Sequence, residues 1–144
     1  MEESSGIQEL IYSISFEDNE ADRVAMNKLV DAARTLDNPR QAVPLMLNWI
    51  ENHGHLDLGS PEPFVHFIEE EMDYLPELEA SLSSKPTCMT VWMANRIANA
   101  ESDPTKIKLW IGMLEKVLSH PKADDQCRDD AHDFIDYQSS RLEA

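Results

Sequence analysis

Ser60 to Asn99 reads SPEPFVHFIEEEMDYLPELEASLSSKPTCMTVWMANRIAN, and this stretch decides the fold. Ser60 is a good N-cap and Pro61 suits the first helical position, so a helix starts there. Phe64, Ile68 and Met72 keep a helical spacing as far as Asp73. Asp73 can cap a further helix with Pro76 in its first turn and Leu75, Leu78 and Leu82 on its inner face. Ser83-Ser84-Lys85-Pro86 is the next break. Thr87 to Asn99 then forms the most apolar helix, the central one, with Asn95, Arg96 and Asn99 on an arc of about 100°.

The same reading extends in both directions. Ile7, Leu10, Ile11 and Ile14 make a short amphipathic helix after a frayed polar start, residues 1–5. Glu17-Asp18-Asn19-Glu20 offers a cap and an acidic first turn to a second helix. The inner face of that helix reads Ala21, Val24, Ala25, Leu29, Ala32, Ala33 and Leu36, and Asp37-Asn38-Pro39 stops it. A third helix spans roughly Arg40 to Asn52, with Val43, Met46, Leu47 and Ile50 inward and Gly54 as its stop. Towards the C-terminus, Asp103-Pro104 opens a helix carrying Ile107, Trp110, Ile111, Leu114, Val117 and Leu118. The last helix puts Cys127, Ala131, Phe134, Ile135 and Gln138 on one face and its aspartates on the other. Trp49, Trp92 and Trp110 each fall inside an amphipathic pattern and read as core.

No alternation is long enough for a strand. The expectation is an all-α protein: one domain, residues 1–144, of seven to eight short antiparallel helices. They would stack as a HEAT-like α-solenoid or an irregular helical array. The longest apolar runs fall far short of a membrane span, and MEESSGIQEL lacks the basic and apolar regions of a secretory signal. Cys88 and Cys127 read as buried thiols in a reducing compartment, which points to the cytoplasm.

Charge carries the functional signal. The chain has 28 Asp and Glu against 12 Lys and Arg, a net −16. That sign excludes a nucleic-acid binder and disfavours an anionic membrane surface. It attracts basic partners and speeds such encounters. The charge is also segregated. Gln41 to Ser84 holds no Lys or Arg, and a second acidic cluster, Asp124, Asp125, Asp129, Asp130, Asp133 and Asp136, lies near the end. Glu69 and Asp73 share a helix face at i, i+4 and repel each other there, a cost a basic partner would relieve. The candidate partner-binding residues are therefore Glu69, Glu70, Asp73, Tyr74 and Glu77, with Asp129, Asp130 and Asp133 of the last helix.

Catalytic readings fare poorly. There is no Gly-rich phosphate loop, no nucleophile elbow and no H-E-x-x-H. His53, His55 and Asp57 sit around a glycine without a second ligand set, as in a solvated turn. His132-Asp133 is an HD dipeptide, but only a short tail follows it, too short for the late aspartate of the HD phosphohydrolases. Consecutive carboxylates such as Glu69, Glu70 and Glu71 diverge by about 100° and cannot share one site. The expectation is a non-enzyme without a cofactor or metal. Asn95, Arg96 and Asn99 either hydrogen-bond to neighbouring helices or face a groove. The first alternative pairs Arg96 with a carboxylate of the adjacent helix and ties the asparagines to loop carbonyls.

GSPEPFVHFIEE, YLPELEASL and KPTCMTVWMANRIAN, together covering Gly59 to Asn99 with the Trp110 helix loosely attached, resemble small helical immunity proteins. These belong to bacterial polymorphic-toxin and contact-dependent growth-inhibition systems. The N-terminal third and the last helix lie outside the resemblance. It implies an all-helical cytoplasmic protein that binds a toxin domain, often a nuclease, and blocks it, with no enzymatic activity and no cofactor. Docking faces differ across such families, so the candidate residues above rest on charge alone. Independently, a nuclease presents a basic cleft for phosphate, which an acidic protein can occupy as a charge mimic. The alternative is a generic helical adaptor with a groove for a peptide or helix, in which the Asn95, Arg96 and Asn99 arc would stay open.

Overall fold

The computed structural model describes residues 2–12, 14, 16–17, 20–21, 23–53, 62–70 and 74–143. The chain is all-helical in class. Its helices are α1 (Glu2–Tyr12), α2 (Arg23–Arg34), α3 (Ala42–His53), α4 (Glu62–Glu70), α5 (Leu75–Ser84), α6 (Cys88–Ala100), α7 (Pro104–Leu118) and α8 (Asp125–Glu143). A single 3-10 turn, Pro39–Gln41, leads into α3. None of the described helices is long and apolar enough to cross a membrane.

Two compact units divide the chain, Met1–Glu77 and Leu78–Ala144, with the boundary inside α5. In the first unit α1 packs on α2 and α3, and α2 packs on α4. Ile7, Ile11, Leu29, Ala33, Met46, Ile50, Phe64 and Ile68 are buried there. Trp49 meets Phe64 edge to face, with ring centroids 5.2 Å apart. Arg34 donates to Glu70 at 3.0 Å, and Arg40 pairs with Glu77.

In the second unit α6, α7 and α8 pack on one another around Val91, Met93, Ala94, Trp110, Leu114, Cys127 and Ala131. Each helix start has its own cap. Thr87 and Thr90 form a reciprocal capping box at α6, with both backbone N–H groups donating to the opposite hydroxyl. Asp103 accepts from the Thr105 N–H before α7, with Pro104 at the first helical position. Asp124 accepts from the Cys127 N–H at 2.8 Å before α8. In the turn from α7 to α8, His120 accepts the Lys122 N–H at Nδ1, which leaves Nε2 to donate to the Ser83 carbonyl at 2.7 Å. Arg128 donates back to the His120 carbonyl at 3.0 Å, tying that turn to α8.

Several expectations need correction, among them the inward place of Leu75, which is exposed. A two-residue antiparallel ladder, β1 (Phe16–Glu17) with β2 (Glu20–Ala21), stands where a helix cap was expected. Two residues a side are too few for alternation to register. Ala21 therefore lies outside α2, which starts at Arg23. The buried face of α2 is also rotated: Met26, Leu29, Val30 and Ala33 are buried, whereas Val24 is 65% exposed. The true stripe follows i, i+3, i+4, i+7 from Met26, and the expected one started one position off that register. Finally, Trp92 is only half-buried and lies under Arg96, whose guanidinium carbon is 4.7 Å from the ring centroid. α1 reaches back to Glu2, into the stretch expected to fray. Gly54, His55, Asp57, Ser60, Pro61, Met72 and Asp73 lie outside the described residues, as does the side chain of His53.

Gly112 sits in the interior of α7, and a Cβ built there meets nothing within 4 Å. A helix-interior glycine costs about 1 kcal/mol relative to alanine. Gly112→Ala is expected to stabilise the dilute protein by about that amount, read as a higher urea midpoint.

Candidate interaction surface

The acidic segment of residues 69–77 is less available than its sequence implies. Glu70 is exposed, but Arg34 of α2 holds it at 3.0 and 3.3 Å. Asp31 flanks the same arginine at 4.0 Å. Glu77 is part-buried against Arg40 of the 3-10 turn. Glu69 and Tyr74 are half-buried, and Asp73 lies outside the described residues. The expectation of an acidic face without neutralising cations is thus corrected for Glu70 and Glu77. Their arginines stand 36 and 37 residues upstream, a pairing that only the fold creates.

α8 presents a different picture. At about 100° per residue, Asp125, Asp129, Asp133 and Asp136 fall within an arc of about 80°. All four are exposed, and the opposite face is buried through Cys127, Ala131 and Gln138. Arg128 reaches Asp125 at 3.4 Å, and His132 reaches Asp136 at 3.6 Å. Asp130, one row away and half-buried, accepts from the Gln126 amide at 2.9 Å. Among the described residues nothing pairs with Asp129 or Asp133, which repel each other at i, i+4. Tyr137 follows Asp133 by one turn and is 54% exposed, adding an aromatic to the end of the row. Of the expected docking residues, then, Asp129 and Asp133 are both open and unneutralised, and α8 places them side by side.

The two asparagines of the α6 arc are bonded from within, while Arg96 and part of Asn99 stay exposed. Gln138 of α8 is fully buried, and its amide nitrogen donates to Asn95 Oδ1 at 2.8 Å and to Asn99 Oδ1 at 2.7 Å. Its Oε1 accepts from Arg141 at 2.6 Å. Arg141 also donates to the Ala98 and Glu101 carbonyls at the end of α6, adding to the Glu101 N–H that Ala98 already accepts. The asparagines are therefore tied to a side-chain amide, not to loop carbonyls as expected. The sequence places Gln138 on the inner face of α8 and the asparagines on one arc of α6, but that the two faces meet follows only from the packing of α6 on α8.

The two cysteines lie on α6 and α8 of the same unit. Burial pushes both thiols up to about 12, with Asp124 and Asp130 adding to the effect. Thiols so fully protonated at neutral pH are poor nucleophiles. Native protein is expected to react with iodoacetamide many times more slowly than urea-unfolded protein. Because the unfolded thiols ionise near their ordinary value of 9.0 and the folded ones only at about 12, the folded state binds more protons in that window. Stability is fully retained below pH 9 and falls as pH rises towards 12. Cys127→Ala should flatten that alkaline decline in a pH series of urea midpoints.

Two hollows lie in the first unit. One, of about 130 Å³, is lined by Ile11, Tyr12, Ile14, Trp49, Asn48 and Asn52 among others, with no carboxylate, histidine, lysine or arginine in its lining. The other is a shallow trough beside the Arg34–Glu70 pair and His66. Among the described residues no group of three His, Cys, Asp or Glu could hold a metal ion. The His132 ring of the HD dipeptide faces Asp136 rather than Asp133, and both partners are exposed. No family model, no curated protein and no solved structure matches the chain.

Proposed function

We propose that the chain is an immunity protein. It binds a cognate toxin domain, most simply a nuclease with a basic phosphate cleft, and neutralises it stoichiometrically in the cytoplasm, with no catalysis and no cofactor. The observation that carries this reading is the exposed aspartate row of α8, in which Asp129 and Asp133 have no internal cation while Glu70 and Glu77 already have theirs. Carboxylates about 6 Å apart along one helix row match the repeat of a phosphate backbone closely enough to sit in its place. The resemblance of Gly59 to Asn99 to helical immunity proteins supports the same reading. The adaptor alternative draws less support, because Gln138 already bonds Asn95 and Asn99 from within, although Arg96 and Asn99 keep exposed surface.

The test is co-expression with the toxin domain encoded beside this chain. Protection of growth, together with a purified complex of one copy of each, supports the proposal. A neighbouring toxin that this chain neither binds nor silences contradicts it.

A further inference from the structure

α7 carries an outward face of opposite sign to that of α8. Lys108, Gly112 and Lys116 form a row at i, i+4, i+8, with Leu109 beside it, 58% exposed. Among the described residues neither lysine has an ionic partner. α6 contacts both α7 and α8 from the side of their buried residues, so the Lys108 row of α7 and the Asp129 row of α8 lie away from it. Gly112 is half-buried, yet a Cβ built there meets nothing within 4 Å, so space remains beside the row. Leu109 adds apolar surface next to the two lysines.

We propose that this α7–α8 face binds a second copy of the chain about a two-fold axis. The lysine row of each α7 then lies on the aspartate row of its partner's α8. The spacing fits: Lys108 and Lys116 are separated by about 12 Å along their helix, as are Asp125 and Asp133 along theirs. Gly112 lets the two backbones approach, and Leu109 and Tyr137 supply the apolar contact. A two-fold arrangement satisfies both rows at once and closes the assembly at two copies.

Magnitudes decide how strong this is. The face measures roughly 25 Å by 20 Å, near the lower end of what a stable interface needs, so association falls in the micromolar range. The net charge of −16 on each copy opposes it. At physiological salt, however, the screening length is about 8 Å, so distant charges are damped while pairs across the contact are not. Dimerisation should therefore peak at intermediate ionic strength and weaken in both very dilute and molar salt. The proposal is independent of the toxin reading, although a basic partner would compete with the second copy for the α8 row.

Sedimentation velocity of the full chain tests it, from low-micromolar to several-hundred-micromolar protein at physiological ionic strength. The expected result is a concentration-dependent shift from monomer to dimer mass. Lys108→Glu/Lys116→Glu and Asp129→Lys/Asp133→Lys should each stay monomeric. An equimolar mixture of the two variants should recover dimer, because each then offers what the other lost. All four positions are exposed, and far-UV circular dichroism confirms that the variants fold. A wild type that stays monomeric throughout overturns the proposal, as does a dimer untouched by either reversal or a mixture that fails to associate.

Discussion

If the chain is the immunity protein proposed above, Asp129→Lys/Asp133→Lys should slow capture of the basic toxin domain by about a hundredfold and weaken the complex by several kcal/mol. The reversal leaves the chain strongly acidic, so bulk charge alone would soften the encounter only slightly. The loss is large because these two carboxylates have no internal cation, so all of their field is directed outward. Reversing both also sets two lysines against a basic cleft, where like charges cost several kcal/mol. A control with the same charge change elsewhere, Glu9→Lys/Asp37→Lys, should bind nearly as the wild type does, since both positions are exposed and far from α8 in sequence. Surface plasmon resonance on the two double variants separates the local row from the overall charge. Equal losses in both would assign the effect to net charge and remove the α8 row from the account.

The second large effect is on stability. Gln138→Leu should cost about 3 kcal/mol, because it removes three internal hydrogen bonds at a fully buried position. What remains is worse than the loss itself. Asn95 Oδ1 stays buried without its donor, and Arg141 loses the acceptor that orients it towards the end of α6. A buried polar atom left unpaired costs about 1–3 kcal/mol. With a urea dependence of about 1–3 kcal/mol per molar, the midpoint falls by 1 M or more. Adding Asn95→Leu to Gln138→Leu should recover part of the loss, since replacing both partners by apolar groups removes the orphan. Strictly additive losses in the double variant would mean that the two amides are not energetically coupled.

Much of the fold was legible because the signals were local. The Asp103-Pro104 start, the Thr87 cap and the spacing of Ile107, Trp110, Leu114 and Val117 each act within a few residues. Among the described residues α6, α7 and α8 fall where such signals put them. What escaped was non-local or too short. The ladder at Phe16–Glu17 and Glu20–Ala21 has no periodicity to detect. The face of α2 turned on Met26 and Val30, and a stripe that also admitted the alanines fitted a neighbouring register. The site followed the same division. The aspartates of α8 read correctly as an exposed face, because their spacing is helical and their opposite face is apolar. The acidic segment around Glu70 and Glu77 read as unneutralised, because its arginines come from the distant residues Arg34 and Arg40. Gln138 illustrates both sides: its inward position followed from the helix, but its partners on α6 required the fold.

The proposed role of the α8 aspartate row is to meet a basic toxin domain. Its most direct test is the association rate with that domain, followed by stopped-flow fluorescence across ionic strength. For the wild type the rate should fall steeply as salt is added, and for Asp129→Lys/Asp133→Lys, which stays acidic overall, the slope should be clearly shallower. A wild-type rate indifferent to salt, or the same steep slope in both proteins, would contradict it.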